Sequence, residues 1–176
     1  MKTKSNSHPS RAGFSLLELT VTMSMLAIIS TASMALVRTS YTAWNRHDDD
    51  HTQRREALSL QRHLSRHIRQ AISVMEISAS SDVSGNMSLL MSSGEIYVWD
   101  HNATTNQVLF GIDTATSVLA TDIDELSFTA YGADGSTEVT DVGLVHAITP
   151  TATYVLARPT GTATYTTSCQ SWLRSW

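Results

Sequence analysis

The acid Glu18 lies inside an apolar run, and Gly13 and Phe14 stand just before it. From Phe14 to Val37, 24 residues carry no other charge and no Gly or Pro. As a helix rising ~1.5 Å per residue, this run would be roughly 36 Å long, enough to cross a hydrocarbon core of ~30 Å. A carboxylate in such a segment costs roughly 2.5–3.5 kcal/mol on insertion scales, so it needs a partner. Cleavage after Gly13 would create one. The freed α-amine of Phe14 would lie one helical turn from Glu18, at the i, i+4 spacing that brings side chains on a helix together.

Other groups offer weaker chemistry. Four histidines form two i, i+4 pairs, His47/His51 and His63/His67, a spacing that puts both rings of a pair on one helix face. Asp48 or Asp50 would be a third ligand beside the first pair. No Glu directly follows the first His of either pair, so the metalloprotease pattern is absent. Arg62 and Arg66 flank the second pair and disfavour a cation there. Both pairs therefore read as solvated helix surface. Asp122, Asp124 and Glu125 cluster, with Asp134 and Asp141 further on, and such oxygens suit Ca²⁺. The spacing is not that of an EF-hand loop, and no cofactor is expected. There is no Gly-x-Ser-x-Gly elbow and no phosphate-cradling glycine loop, and Cys169 is the single cysteine. Nothing in these residues recommends an enzyme.

The elements that must position Glu18 follow from what the chain lacks. Between Gly13 and Gly85 there is no glycine, and between Pro9 and Pro150 no proline. No helix breaker therefore interrupts a long N-terminal helix, read from about Ser15 to about Glu76. Leu60, Leu64, Ile68, Ala71, Ile72 and Met75 recur at the steps of one buried face, while Arg55, Arg62, Arg66 and Arg69 fall mainly off it. The stretch Asn45 to Asp50 is the weak point, being rich in poor helix formers. After Ser78 the composition turns to Ser, Thr, Gly and β-branched residues. Residues 79–86 read as a loop. Strands are predicted at 87–91, 95–100, 107–111, 123–131, 136–140, 142–149 and 153–157, with Asp134-Gly135 as a hairpin turn. The tail with Trp172 and Trp176 reads as either a docked segment or a contact surface. Four segments result: residues 1–13, 14–37, 38–78 and 79–176. The fold class is α+β, a long helix on an antiparallel sheet.

Charge is uneven along these segments. Residues 38–70 carry seven Arg against four acids, and residues 71–176 carry eleven acids against Arg158 and Arg174. The acidic distal half argues against nucleic acid, whose phosphates need a basic surface. Lys2, Lys4 and Arg11 precede the apolar run and place the N-terminus in the cytoplasm, by the positive-inside rule.

A basic leader, the Gly13-Phe14 junction and Glu18 together resemble the class III signal of type IV prepilins and type II secretion pseudopilins. The resemblance covers residues 11 to about 37 tightly, and the remainder only in general architecture. Leu126-x-Phe128-x-x-Tyr131 followed by Asp134-Gly135 is also similar to the sheet region of J-type minor pseudopilins and PilW-type minor pilins. The family implies cutting between Gly13 and Phe14 by a prepilin peptidase and methylation of the Phe14 amine. It further implies an inner-membrane assembly platform and helical packing with other subunits through Glu18. A proline some twenty residues into the mature chain and a C-terminal disulfide loop mark major pilins. Thr31-Ala-Ser-Met-Ala35 and the single cysteine depart from both, which favours a minor role.

Two alternatives stay open. Signal peptidase I sites can be drawn at Ser30-Thr-Ala32 and Ser33-Met-Ala35, which would release a soluble binding protein. An uncleaved signal anchor would instead hold an extracytoplasmic domain at the membrane.

Overall fold

The computed structural model describes residues 15–158 and 161–174, apart from the side chain of Asp49. It is α+β and pilin-like, with one long N-terminal helix and antiparallel sheets. Helix α1 spans Leu16–Ile68. The chain divides into two compact units, Met1–Asn45 and Arg46–Trp176. In the first unit the described residues are helical from Leu16 onward, and the apolar side chains are exposed, Leu16 by 81% and Ile28 by 68%.

In the second unit two sheets meet the helix. Strands β1 (Ala71–Ile77), β2 (Asn86–Met91), β3 (Ile96–Asn102), β4 (Gln107–Ile112) and β5 (Ser117–Ala120) form an antiparallel meander in chain order. The second sheet has the order β6 (Glu125–Tyr131), β7 (Ala147–Arg158), β8 (Gly161–Ser168), and β9 (Ser171–Trp172) pairs with β7. A 3₁₀ turn, Val142–Leu144, precedes β7. The N–H of Gly85 donates to the Leu126 carbonyl, and that of Leu126 to the Val83 carbonyl, each at 2.8 Å, tying the sheets together. Ala57, Leu60, Leu64 and Ile68 from the helix enter one core with Leu89, Trp99, Val108, Phe128 and Ile148. Removing the side chains of Leu60, Leu64 and Ile68 from water in this way stabilises by roughly 1.5–3 kcal/mol apiece.

The helix ends earlier than its apolar spacing predicts. Residues 71–77, expected to continue the amphipathic helix to residue 78, form β1 instead. The turn closes with the Gln70 N–H donating to the His67 carbonyl at 3.0 Å, and β2 then supplies a hydrogen-bonded partner strand. Ala71 and Val74 are buried, while Ile72 and Met75 are each 50% exposed, so the predicted stripe is real only as far as Ala71. Ile72, Val74 and Ile77 are β-branched and lose χ1 freedom in a helix, which favours the strand. The stretch Asn45 to Asp50 is helical throughout.

Three strand expectations also change. Residues 136–140 form only a single bridge, Tyr131 to Glu138, because the Asp134 carboxylate accepts the backbone N–H groups of Ser136 and Thr137 and holds them in a turn. The runs 142–149 and 153–157 contribute to one strand, β7, whose buried residues alternate along its length. Pro150 lies between the pairings of β8 and β9, where a residue without an N–H is tolerated. Strands β5 and β8 were not anticipated at all. The tail docks: Ser171 and Leu173 are buried, and Leu173 N–H donates to the His146 carbonyl at 2.9 Å. Gly135, at φ +68°, makes room for the Trp172 ring, which a Cβ would approach to 2.7 Å.

Candidate functional site

Ser15 opens α1. Its hydroxyl accepts the Leu17 N–H at 3.2 Å and its carbonyl accepts the Leu19 N–H at 3.1 Å. Such capping satisfies backbone donors that the first turn leaves over. Glu18 lies in that turn, where a carboxylate is favoured by the positive end of the helix dipole. It is exposed, among Leu16, Leu17, Leu19 and Val21, which are exposed as well. Gly13 and Phe14, the other two residues of the predicted site, lie outside the described residues.

The hydroxyls of this stretch look after themselves. Thr20 donates to the Leu17 carbonyl, Thr22 to Leu19, Ser24 to Thr20 and Thr31 to Ala27, all at 2.8–3.0 Å. Back-bonding of this kind lets Ser and Thr sit in an apolar medium without an outside partner. Glu18 has no such recourse, and among the described residues the one ion pair is Asp50 with Arg158. By length and composition the helix can cross a membrane, and the apolar window of it is wholly unburied.

The other candidates resolve differently. His47 and His51 are exposed on α1, as expected. His63 and His67 are not solvated surface, which corrects the expectation from sequence. They are partly buried against the aromatic side of the first sheet, with His63 4.8 Å from Phe110 and His67 5.3 Å from Tyr97, centroid to centroid. Burial lowers the pKa of both, that of His67 to about 4, with His63 and Arg66 adding to the effect by charge. The signal missed in the sequence was Tyr97-Val-Trp99 on β3 and Phe110 on β4, a set of rings that needs something flat to cover it. Among the acids, Asp124 accepts a hydrogen bond from Asn106 at 2.8 Å, while Asp122 and Glu125 are exposed. Asp134 is held below the usual carboxylate range by hydrogen bonds from Thr137 and Ser136. Among the described residues no three His, Cys, Asp or Glu side chains converge as a metal centre would require. Cys169 is exposed and free.

Residues 8–34 match the family model of the prokaryotic N-terminal methylation motif. No curated protein and no solved structure matches the chain. The matched stretch contains Gly13, Phe14 and Glu18, and it is the class III signal peptide of type IV prepilin-like proteins. The motif supports a prepilin substrate of the pilin or pseudopilin kind, and implies processing by a prepilin peptidase and assembly with other pilins. Together with the apolar helix it is consistent with single-pass anchoring in the inner membrane.

Proposed function

We propose that the chain is a minor pilin or pseudopilin subunit. A prepilin peptidase cuts it between Gly13 and Phe14 and methylates the new Phe14 amine. The assembly platform then draws it from the inner membrane into a type II secretion pseudopilus or a type IV pilus. Its N-terminus faces the cytoplasm and its sheet domain the extracytoplasmic side. We assign it no enzymatic step and no cofactor.

The observation that carries this reading is Glu18, exposed in an apolar helix inside the methylation motif. A small residue at Gly13 fits the peptidase. After the cut, Glu18 neutralises an N-terminal ammonium, most usefully that of the adjacent subunit. A carboxylate left alone in low dielectric is costly, so this pairing favours assembly and also sets the axial stagger of neighbouring helices.

Replacing Glu18 with Ala separates processing from assembly. Cleavage should stay largely intact, because the cut needs Gly13, while incorporation into filaments should fall sharply. Quantifying the subunit in sheared filaments against the membrane fraction reads both. Normal filament yield from Glu18→Ala would defeat the proposal.

A further inference from the structure

The two sheets end on β1, β5, β6 and β8. The first three are short or covered. β1 has its Ala71 carbonyl taken by the Arg174 N–H of the docked tail, at 3.1 Å. β6 is flanked by Val83 to Gly85, with a parallel bridge from Ser84 to Leu126. β5 has only four residues. β8 is different. It pairs with β7 from Gly161 to Ser168 without a register shift, and has no strand on its other side among the described residues. Edge strands are usually guarded by charge, proline, a bulge or shortness. β8 is eight residues long, carries no charge and no proline, and its four threonines favour strand pairing.

Helix α1 runs beside the end of this open edge. Gln61 is buried, and its Nε2 donates to the Thr167 carbonyl at 2.9 Å and to the Pro150 carbonyl at 3.1 Å, which ties the helix to β8. Arg62, Arg66 and Arg69 are exposed and line an open groove of about 610 Å³ together with Thr167, Ser168 and Cys169. Among the described residues none of these three arginines has an ion-pair partner. Arg62 and Arg66 stand ~6 Å apart along the helix axis, close to the ~6.6–6.8 Å between alternate residues of a strand. A guanidinium presents paired N–H donors that match a carboxylate.

An unfilled ladder beside a row of unpaired cations calls for a ligand that is both extended and acidic. We propose that the groove receives an extended segment of a neighbouring filament subunit. That segment adds a strand to β8 through its backbone and sets carboxylates at alternate positions against Arg62, Arg66 and Arg69. The choice of a neighbouring subunit rests on the filament reading above. A second copy joined β8 to β8 fits less well, because β8 brings no acid to the arginines.

The test is titration of the full chain, reduced and in detergent micelles, with a short synthetic peptide that has aspartate at alternate positions. Binding is expected, and the Arg62→Ala/Arg66→Ala/Arg69→Ala variant should weaken it by roughly tenfold or more, the loss expected when charge-assisted hydrogen bonds go. These arginines are exposed, so the unfolding midpoint of the variant should stay at the wild-type value. The same peptide N-methylated at alternate amides cannot complete a ladder and should bind as weakly, and a lysine counterpart should not bind. Glu18→Ala should bind the peptide like wild type, so this proposal and the filament reading fail separately. No binding of the aspartate peptide, equal binding by the N-methylated or lysine peptide, or full affinity in the triple variant would overturn the proposal. So would a stable dimer of the chain alone that the triple variant dissolves, since a second copy would then occupy the groove.

Discussion

The two stretches of α1, Leu16 to Asn45 and Arg46 to Ile68, share one backbone conformation and differ in what covers their apolar side chains. In the second, Ala57, Leu60, Leu64 and Ile68 are at most 1% exposed, covered by the chain's own sheets. In the first, Leu26 is 62% exposed and Leu36 70%, and the polar side chains other than Glu18 include several that bond back to the helix. One stretch finishes its folding within its own compact unit. The other presents a surface suited to lipid or to another helix, with one carboxylate requiring a positive partner.

Substitutions in the two stretches sharpen this contrast. The largest effect is expected from Leu64→Ala. A fully buried leucine cut back to alanine costs about 2–5 kcal/mol, and denaturant unfolding of the purified chain should show a loss in that range. An intermediate effect concerns acid. His63 and His67 have folded-state pKa values below the ordinary histidine value, so the unfolded chain binds more protons between pH 6.5 and about 4. Stability should fall as pH drops through that window. The His63→Gln/His67→Gln variant should lose less over the same interval, and an identical pH profile would contradict it. The smallest effect is expected from Leu26→Ala, which removes an exposed side chain and should leave the unfolding of the sheet domain unmoved. A loss comparable to that of Leu64→Ala would erase the distinction between the stretches.

How legible these features were in the sequence depended on where their causes lay. Glu18 in its apolar run, and the stripe Leu60-Leu64-Ile68, follow from local composition and spacing, and both hold in the structure. The end of the helix does not follow. Ile72 and Met75 continue the helical step with no Gly or Pro to stop it, and the pairing with β2 that converts them to strand comes from beyond an intervening loop. The same reason hid His63 and His67, whose neighbouring arginines are visible locally but whose aromatic partners lie on β3 and β4. Strand β8 is rich in threonine and exposed along most of its length, so no apolar alternation marks it. Of the candidate site, Glu18 is placed by the structure, while Gly13 and Phe14 rest on the motif that spans them.

The account stands on a positive end group that cleavage must create one turn before Glu18. Mass spectrometry of the mature N-terminus from the native host measures it directly. The account predicts a chain beginning at N-methylated Phe14. A chain retaining Met1, or one starting near Ser33 or Leu36, would contradict it.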